Sequence, residues 1–404
     1  MSIPATTPGA LEGLTVLDAT QMLAGPLAAT RLGDLGADVI KLEPPVVGEF
    51  NRSHGFEGVR IRGEMTTFTA VNRNKRSLAI DLKNPDSRPV IDDLVRSADV
   101  FLQNFRHGTA ERLGVGYERL HELNPRLIYC SISGYGSSGP YRDRPGQDLV
   151  VQGYSGSMFS VGSEDDPPEP GALWAADVMT GYHAAIGILA ALRARDLIGV
   201  GQHVEIDMLS VVLDAQLQEL VTYLNSGRQP TRSAEPSAHA SIPAPYGVYR
   251  TKDGWLTLAM TPLSTLGEVL DDDWLRGLTD YDDGHKHRDE VYAHIRDKFV
   301  DRTTAEWISA CDRVNVWAGP VYDYAGVAAD PHVIETGMIV EQSHGDGGAP
   351  VRTVRPPIKM SETPPTIRSG APALGSHTAE ILAGLGYDDD AIERLLASGA
   401  VAVG

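Results

Sequence analysis

The chain predicts an α/β fold with a parallel, doubly wound sheet and a second, smaller α+β unit. Three observations point there. Short apolar runs alternate with amphipathic stretches over the first part of the chain, proline and glycine mark the changes, and the composition shifts near residue 225. Leu14–Thr20 (LTVLDAT) is an apolar run ending in polar residues, suited to a buried parallel strand. Gly25 and Pro26 follow, and proline in the first turn starts a helix. Leu27–Leu35 has helical spacing, Gly36 stops it, and Ala37–Leu42 is the next strand. Ser77–Leu82 and Ala98–Leu102 are further strands, separated by a helix that Asn84-Pro85-Asp86 opens and that carries Val90, Ile91, Leu94 and Val95. Leu127–Ser133 supplies another strand. Val178–Ala194 reads as a helix rich in small residues (Gly181, Ala184, Ala185, Gly187), with a strand at Val204–Met208 beyond it.

From Asn225 to Pro245 the chain turns to Ser, Pro, Gly and Arg, the composition of a linker. Tyr246 to Asp330 reads as the smaller unit, with a strand at Trp255–Met260 and helices near Glu290–Val300 and Thr304–Asp312. A Pro-rich stretch from Pro356 precedes a last helix, Thr378–Leu385. The expected divisions are therefore 1–224 for the first part of the large domain, 225–245 for the linker, 246–330 for the small domain and 331–404 for the return.

With 404 residues, 42% hydrophobic and 22% charged, the chain suits two globular domains. The longest apolar candidate, Ala184–Leu192, is too short for a membrane span, and Met1–Gly9 lacks the parts of a signal peptide. A cytoplasmic protein without a membrane partner is expected. A net charge of −19, from 35 basic and 54 acidic residues, argues against a nucleic-acid binder. Cys130 and Cys311 stand alone, and none of the twelve histidines has ligand spacing, so reduced thiols and no metal are expected.

Gly134–Gly139 (GYGSSG) matches GxGxxG after a strand, but Pro140, Pro145 and Gly146 keep the chain in a loop where a dinucleotide site needs a helix. The loop is expected to line another kind of pocket. No GxSxG elbow is present. Asp177 lies just ahead of the small-residue helix, where the plain reading is an N-cap. The same place suits a nucleophile, since the helix dipole favours a carboxylate and a carboxylate can attack a thioester to give a mixed anhydride. Arg73, Lys75, Arg76, Arg106 and Arg112 read either as solvated surface or as a phosphate site near strand ends.

Several segments together resemble the class III CoA-transferases, the group of formyl-CoA transferase and carnitine CoA-transferase. They are VLDATQMLAGP (Val16–Pro26), LGADVIKLEPP (Leu35–Pro45), NRNKRSLAIDLK (Asn72–Lys83), ADVFLQNFRHG (Ala98–Gly108), NPRLIYCSISGYGSSGP (Asn124–Pro140) and AADVMTGYHAAIGILAALRAR (Ala175–Arg195). GQHVEIDM (Gly201–Met208), GPV (Gly319–Val321), PPIKMSETPP (Pro356–Pro365) and LGSHTAEIL (Leu374–Leu382) continue the match in order. The resemblance implies a Rossmann-like large domain made from both chain ends, an inserted small domain and an interlocked homodimer. It implies that Asp177 is the acylated aspartate. It also implies that coenzyme A, the only cofactor-like partner, lies along Leu23, Ala24, Ile80, Asp81, Leu82, Lys83, Asn104, Phe105, Arg106 and Arg112. Leu23 replaces a glutamine of the formyl enzyme, so oxyanion donors here would be backbone N–H groups. Pro44 replaces a CoA-contacting arginine, and the small-domain glycine loop of the formyl enzyme has no counterpart, which disfavours oxalate as acceptor.

The same family holds the α-methylacyl-CoA racemases, which pair a His with an Asp thirty residues on. Here that place is Gln147, next to Asp148 in a possible substrate pocket, and Arg250 falls where the racemases have a glutamate. Glutamine cannot act as a general base near neutral pH. The expected activity is therefore transfer of CoA from an acyl-CoA donor to a carboxylic acid acceptor, with a racemase or a non-catalytic CoA-binding protein as the alternatives.

Overall fold

The structure, a computed structural model, describes residues 8–342 and 350–404. The reading of Met1–Gly9 lies outside the described residues except for Pro8 and Gly9. The chain forms two compact units. One comprises Met1–Val151, Trp174–Val212 and His332–Gly404, the other Gln152–Leu173 and Leu213–Pro331. The insertion thus begins earlier than residue 225, and a separate segment before the small-residue helix groups with it.

The first unit is built on a seven-stranded sheet: β1 (Thr15–Asp18), β2 (Asp38–Glu43), β3 (Lys75–Ile80), β4 (Val100–Gln103), β5 (Ile128–Ser133), β6 (His203–Asp207) and β7 (Val401–Ala402). Their order is β7-β3-β2-β1-β4-β5-β6, with β7 antiparallel to β3 and all other pairs parallel. Without the β7 edge this is the 3-2-1-4-5-6 order of dinucleotide-binding folds. The order reverses between β1 and β4, and ligands of such sheets bind beyond the strand ends at that point.

Alternation along the strands builds two cores. Leu17, Ile40, Leu78, Phe101 and Tyr129 face α2 (Arg88–Ser97) and the C-terminal helices, while Val16, Val39, Val100, Ile128 and Cys130 face α1 (Ala24–Asp34) and α3 (Ala175–Ile198). α3 starts three residues before and ends four after the span expected from sequence. At 24 residues, with a mean hydropathy of 1.3 over an 18-residue window, it is long and apolar enough to cross a membrane, contrary to the expectation that no segment would be. It packs instead as a core helix, burying Ala176, Thr180, Gly181, Ala184, Ala185 and Ile188.

Gly181 sets how closely α1 and α3 approach. A Cβ there would lie 2.7 Å from the Ala24 carbonyl oxygen, which is backbone and cannot swing away. Gly181→Ala gains about 1 kcal/mol of helix propensity but overpacks at about 1–3 kcal/mol. We expect a lower melting temperature. Gly187→Ala, whose Cβ meets the Val204 side chain at 2.9 Å, should be milder because a side chain can shift.

Of the basic residues of NRNKRS, Arg73 and Lys75 are buried and Arg76 is partly exposed, and all three pair with acids of the chain. Arg73 pairs with Asp34 at 2.8 Å, Lys75 with Asp18 at 2.8 Å, and Arg76 with Asp38 and Glu380. These partners lie far off in sequence, so spacing did not reveal them.

The second unit carries a three-stranded antiparallel sheet, Gly247–Arg250, Trp255–Leu258 and Ala318–Pro320, over a core with Leu256, Leu258, Phe299 and Trp307. The stretch read as a linker has no regular elements between Gly227 and Tyr246, yet it is no free tether. Ser233 is fully buried and donates to Asp289 at 2.5 Å, and the Arg232 guanidinium donates to the Asp166 carbonyl at 2.7 Å.

Candidate active site

A cavity of about 700 Å³ opens at the carboxyl ends of β1, β4 and β5. Gln21, Met22 and Ala24 line it after β1, Gln103 to Gly108 after β4, and the loop Gly134–Gln147 supplies part of the wall after β5. Asp177 of α3 also lines it.

Asp177 is the third residue of α3, not its N-cap. The cap position is Trp174, which has no side-chain cap bond. The Asp177 N–H donates to Asp148 Oδ1 at 3.0 Å, so a residue distant in sequence satisfies an orphan donor of the first turn. Among the described residues, no group donates a hydrogen bond to the Asp177 carboxyl. Burial, with the Asp148 carboxylate adding to it, pushes Asp177 up to about 6. The helix dipole that the sequence offered as a reason for a stabilised anion is outweighed. The group is still ionised at neutral pH, and it is more basic than an ordinary carboxylate.

The turn between β1 and α1 is clamped on both sides. Asn104 accepts the Gln21 N–H at 3.0 Å through Oδ1 and donates to the Gln21 carbonyl at 2.8 Å through Nδ2. Glu49 accepts the Met22 N–H at 3.0 Å and Asn51 donates to the Met22 carbonyl at 2.8 Å. Met22 has φ of 71°, a left-handed conformation that costs a residue with a side chain on the order of 1–3 kcal/mol. Leu23 is the N-cap of α1 and offers no side-chain cap bond to the first N–H groups of the helix.

Below this turn lies a buried ion cluster. Lys75 Nζ donates to Asp18 and to Asn72 Oδ1, both at 2.8 Å, and to the Pro26 carbonyl at 3.0 Å. Lys41 Nζ lies 3.8 Å from the same Asp18 carboxylate and donates to the Thr20 carbonyl at 3.0 Å. Burial alone would raise Asp18, but Lys41 and Lys75 overcome it and hold Asp18 at about 2.

Of the residues expected at the site, Ala24, Asn104, Phe105, Arg106, Gln147 and Asp177 line this cavity. Leu23 adjoins it at the start of α1. Arg112 is exposed at the end of a short helix and donates to Thr109 Oγ1 at 2.7 Å. Ile80 is buried in β3 opposite Val401, the Asp81 N–H donates to the Ala400 carbonyl, Leu82 packs on the core, and Lys83 is exposed. None of these last five lines the cavity. Asp148, expected in the pocket, is 2% exposed and does not line the cavity.

Sequence reasoning missed Gln21, Met22, Arg142 and Arg144. The last two sit on the loop with the GxGxxG match, which does line a pocket, as expected. Its neck closes where Gly134 and Gly146 meet, since a Cβ on Gly146 would lie 2.4 Å from the Gly134 Cα. That pair of glycines was the available clue. Among the described residues no group of three or more His, Cys, Asp or Glu is placed to hold a metal ion.

The chain matches the sequence profile described as CoA-transferase family III over residues 11–378. It is 36% identical to the succinyl-CoA:glutarate CoA-transferase of Mus musculus, with 97% of this chain and 90% of that protein covered. It is 37% identical to the succinate–glutarate CoA-transferase of Agrobacterium fabrum, with 95% and 96% covered. Among solved structures, a CAIB/BAIF family protein from Brucella suis superposes with a TM-score of 0.82 at 32% identity, covering 94% of this chain and all of that one. With the profile covering residues 11–378, which hold six of the seven sheet strands and α3, the chain is a member of CoA-transferase family III.

Proposed function

We propose that this enzyme moves CoA between small dicarboxylic acids through covalent intermediates on Asp177. One observation carries the reading. Asp177 presents a carboxyl to the cavity that, among the described residues, receives no hydrogen bond and that is more basic than usual. The Asp177 carboxylate attacks the donor thioester carbonyl, forming an aspartyl–acyl anhydride and releasing CoA thiolate. The thiolate attacks the aspartyl carbonyl, giving an aspartyl-CoA thioester and the free donor acid. The acceptor carboxylate attacks that thioester to form a second anhydride and releases CoA thiolate again. The thiolate finally attacks the acceptor's acyl carbon, giving the new CoA ester and the original Asp177 carboxylate. First-turn N–H groups of α1 serve the oxyanions, since Leu23 has no donor.

Relatives that act on succinyl-CoA with glutarate or L-malate support the substrate class. Racemisation is disfavoured because Gln147, which lines the same cavity as Asp177, cannot take up a proton. A homodimer belongs to the same proposal. Leu217, Val221 and Leu224 on one exposed helix are the kind of surface a second copy would cover.

Hydroxylamine tests the chemistry. With succinyl-CoA present and no acceptor, it should convert the activated Asp177 to a hydroxamate that peptide mass spectrometry locates. Turnover of succinyl-CoA with glutarate but no hydroxamate at Asp177 would remove the covalent reading.

A further inference from the structure

Asp148 is an ionisable side chain, 2% exposed, outside the cavity wall and next to the nucleophile's helix. Its Oδ1 accepts the N–H of Asp177 itself at 3.0 Å. α3 has no cap bond from its own N-cap residue, Trp174, so this contact takes over a capping task from outside the helix. We propose that Asp148 is a positioning residue for the transfer reaction, holding the first turn of α3 so that the Asp177 carboxyl faces the cavity.

The choice of an acid has a second consequence. Asparagine or serine caps a helix about as well as aspartate, so holding the turn does not require a charge. A carboxylate there lies beside the positive helix end and opposes the ionisation of Asp177. Among the described residues it is the one charged neighbour that shifts Asp177, the larger part of the shift being burial. From α1, packed on the same helix, Arg31 and Asp34 pair with each other at 2.9 Å. Arg142 on the cavity loop has its adjacent Asp143 at 3.5 Å, and Arg144 lies over the Tyr141 ring. Asp148 therefore holds the nucleophile's backbone and also keeps its carboxylate basic, which favours attack on a thioester.

The inference rests on Asp177 being the nucleophile, and a pH profile separates the two claims. Asp177 must be ionised to attack, so wild-type kcat/KM for succinyl-CoA should fall as pH drops through about 6. Asp148→Asn keeps an oxygen for the Asp177 N–H and removes the charge. Its acid limb should move down by about one pH unit, raising activity at pH 5 relative to pH 8 roughly fivefold over wild type. Asp148→Ser, also a capping residue, should shift in the same direction and serves if the amide variant fails to fold. Asp148→Ala, which loses both functions, should lower kcat more than either without a matching rise in KM. Acid limbs in the asparagine and serine variants that coincide with wild type would overturn the charge role of Asp148, and a wild-type kcat in Asp148→Ala would overturn its positioning role. Absence of the Asp177 hydroxamate in wild type would instead overturn the covalent reading, whatever the limbs do.

Discussion

If Asp177 is the nucleophile as proposed, Asp177→Asn and Asp177→Ala should lower CoA transfer by at least about a thousandfold, because both remove the attacking carboxylate. Stability should move the other way. Had Asp177 been a cap, its loss would cost about 0.5–2 kcal/mol, but its side chain makes no cap bond. Its carboxyl is instead raised from 3.8 in the unfolded chain to about 6 in the folded one. A carboxyl raised on folding contributes stability that is fully present below the unfolded value and is lost as pH rises through the folded value. At pH 8 the ionised Asp177 therefore weakens the fold, by an amount on the order of 1–3 kcal/mol. Asp177→Asn should melt at or above the wild-type temperature at pH 8, and that advantage should disappear below about pH 4. Thermal unfolding at both pH values checks this. A variant that melts well below wild type at pH 8 would mean that Asp177 supports the fold through contacts the structure does not show. Near-wild-type turnover, with deamidation excluded, would remove its catalytic role.

The second large effect is expected at Asp18, which is fully buried and never meets substrate in this scheme. Asp18→Asn leaves Lys41 and Lys75 in the core without their shared counter-ion. Breaking a buried pair by removing one partner costs about 3–5 kcal/mol, which corresponds to a drop on the order of 10 °C in melting temperature. Transfer activity should fall with it, since Lys75 also donates to the Pro26 carbonyl in the first turn of α1. The pH dependence has the opposite sign to that of Asp177. The Asp18 carboxyl is depressed from 3.8 to about 2, so its stabilisation is present above the unfolded value and is lost as pH falls through the folded one. Combining Asp18→Asn with Lys75→Met should cost less than the sum of the single changes, because the second removes one of the stranded cations. Additive losses, or a single variant within about 1 kcal/mol of wild type, would show that the cluster is not coupled as its geometry indicates.

The parallel sheet, the small-residue helix and the separate small unit were legible in the chain because each rests on local pattern. Apolar runs, helical spacing and proline or glycine punctuation act over a few residues, and the resemblance in ordered segments placed Asp177, Asn104, Phe105 and Arg106 in one site. Features made by partners far apart in sequence were not legible. Lys75 looks like a surface cation until the sheet brings it to Asp18, 57 residues away. Asp177 looks like a cap until Asp148, 29 residues away, is seen to take its N–H and raise its carboxyl. The β7 edge strand is two residues long and has no periodicity to read, and it exists because β3 offers it unpaired backbone groups. The sequence by itself determined which elements form and singled out Asp177 as the candidate acid. The tertiary structure decided how that acid is held and how basic it is, because burial and long-range hydrogen bonds exist only once the chain is folded.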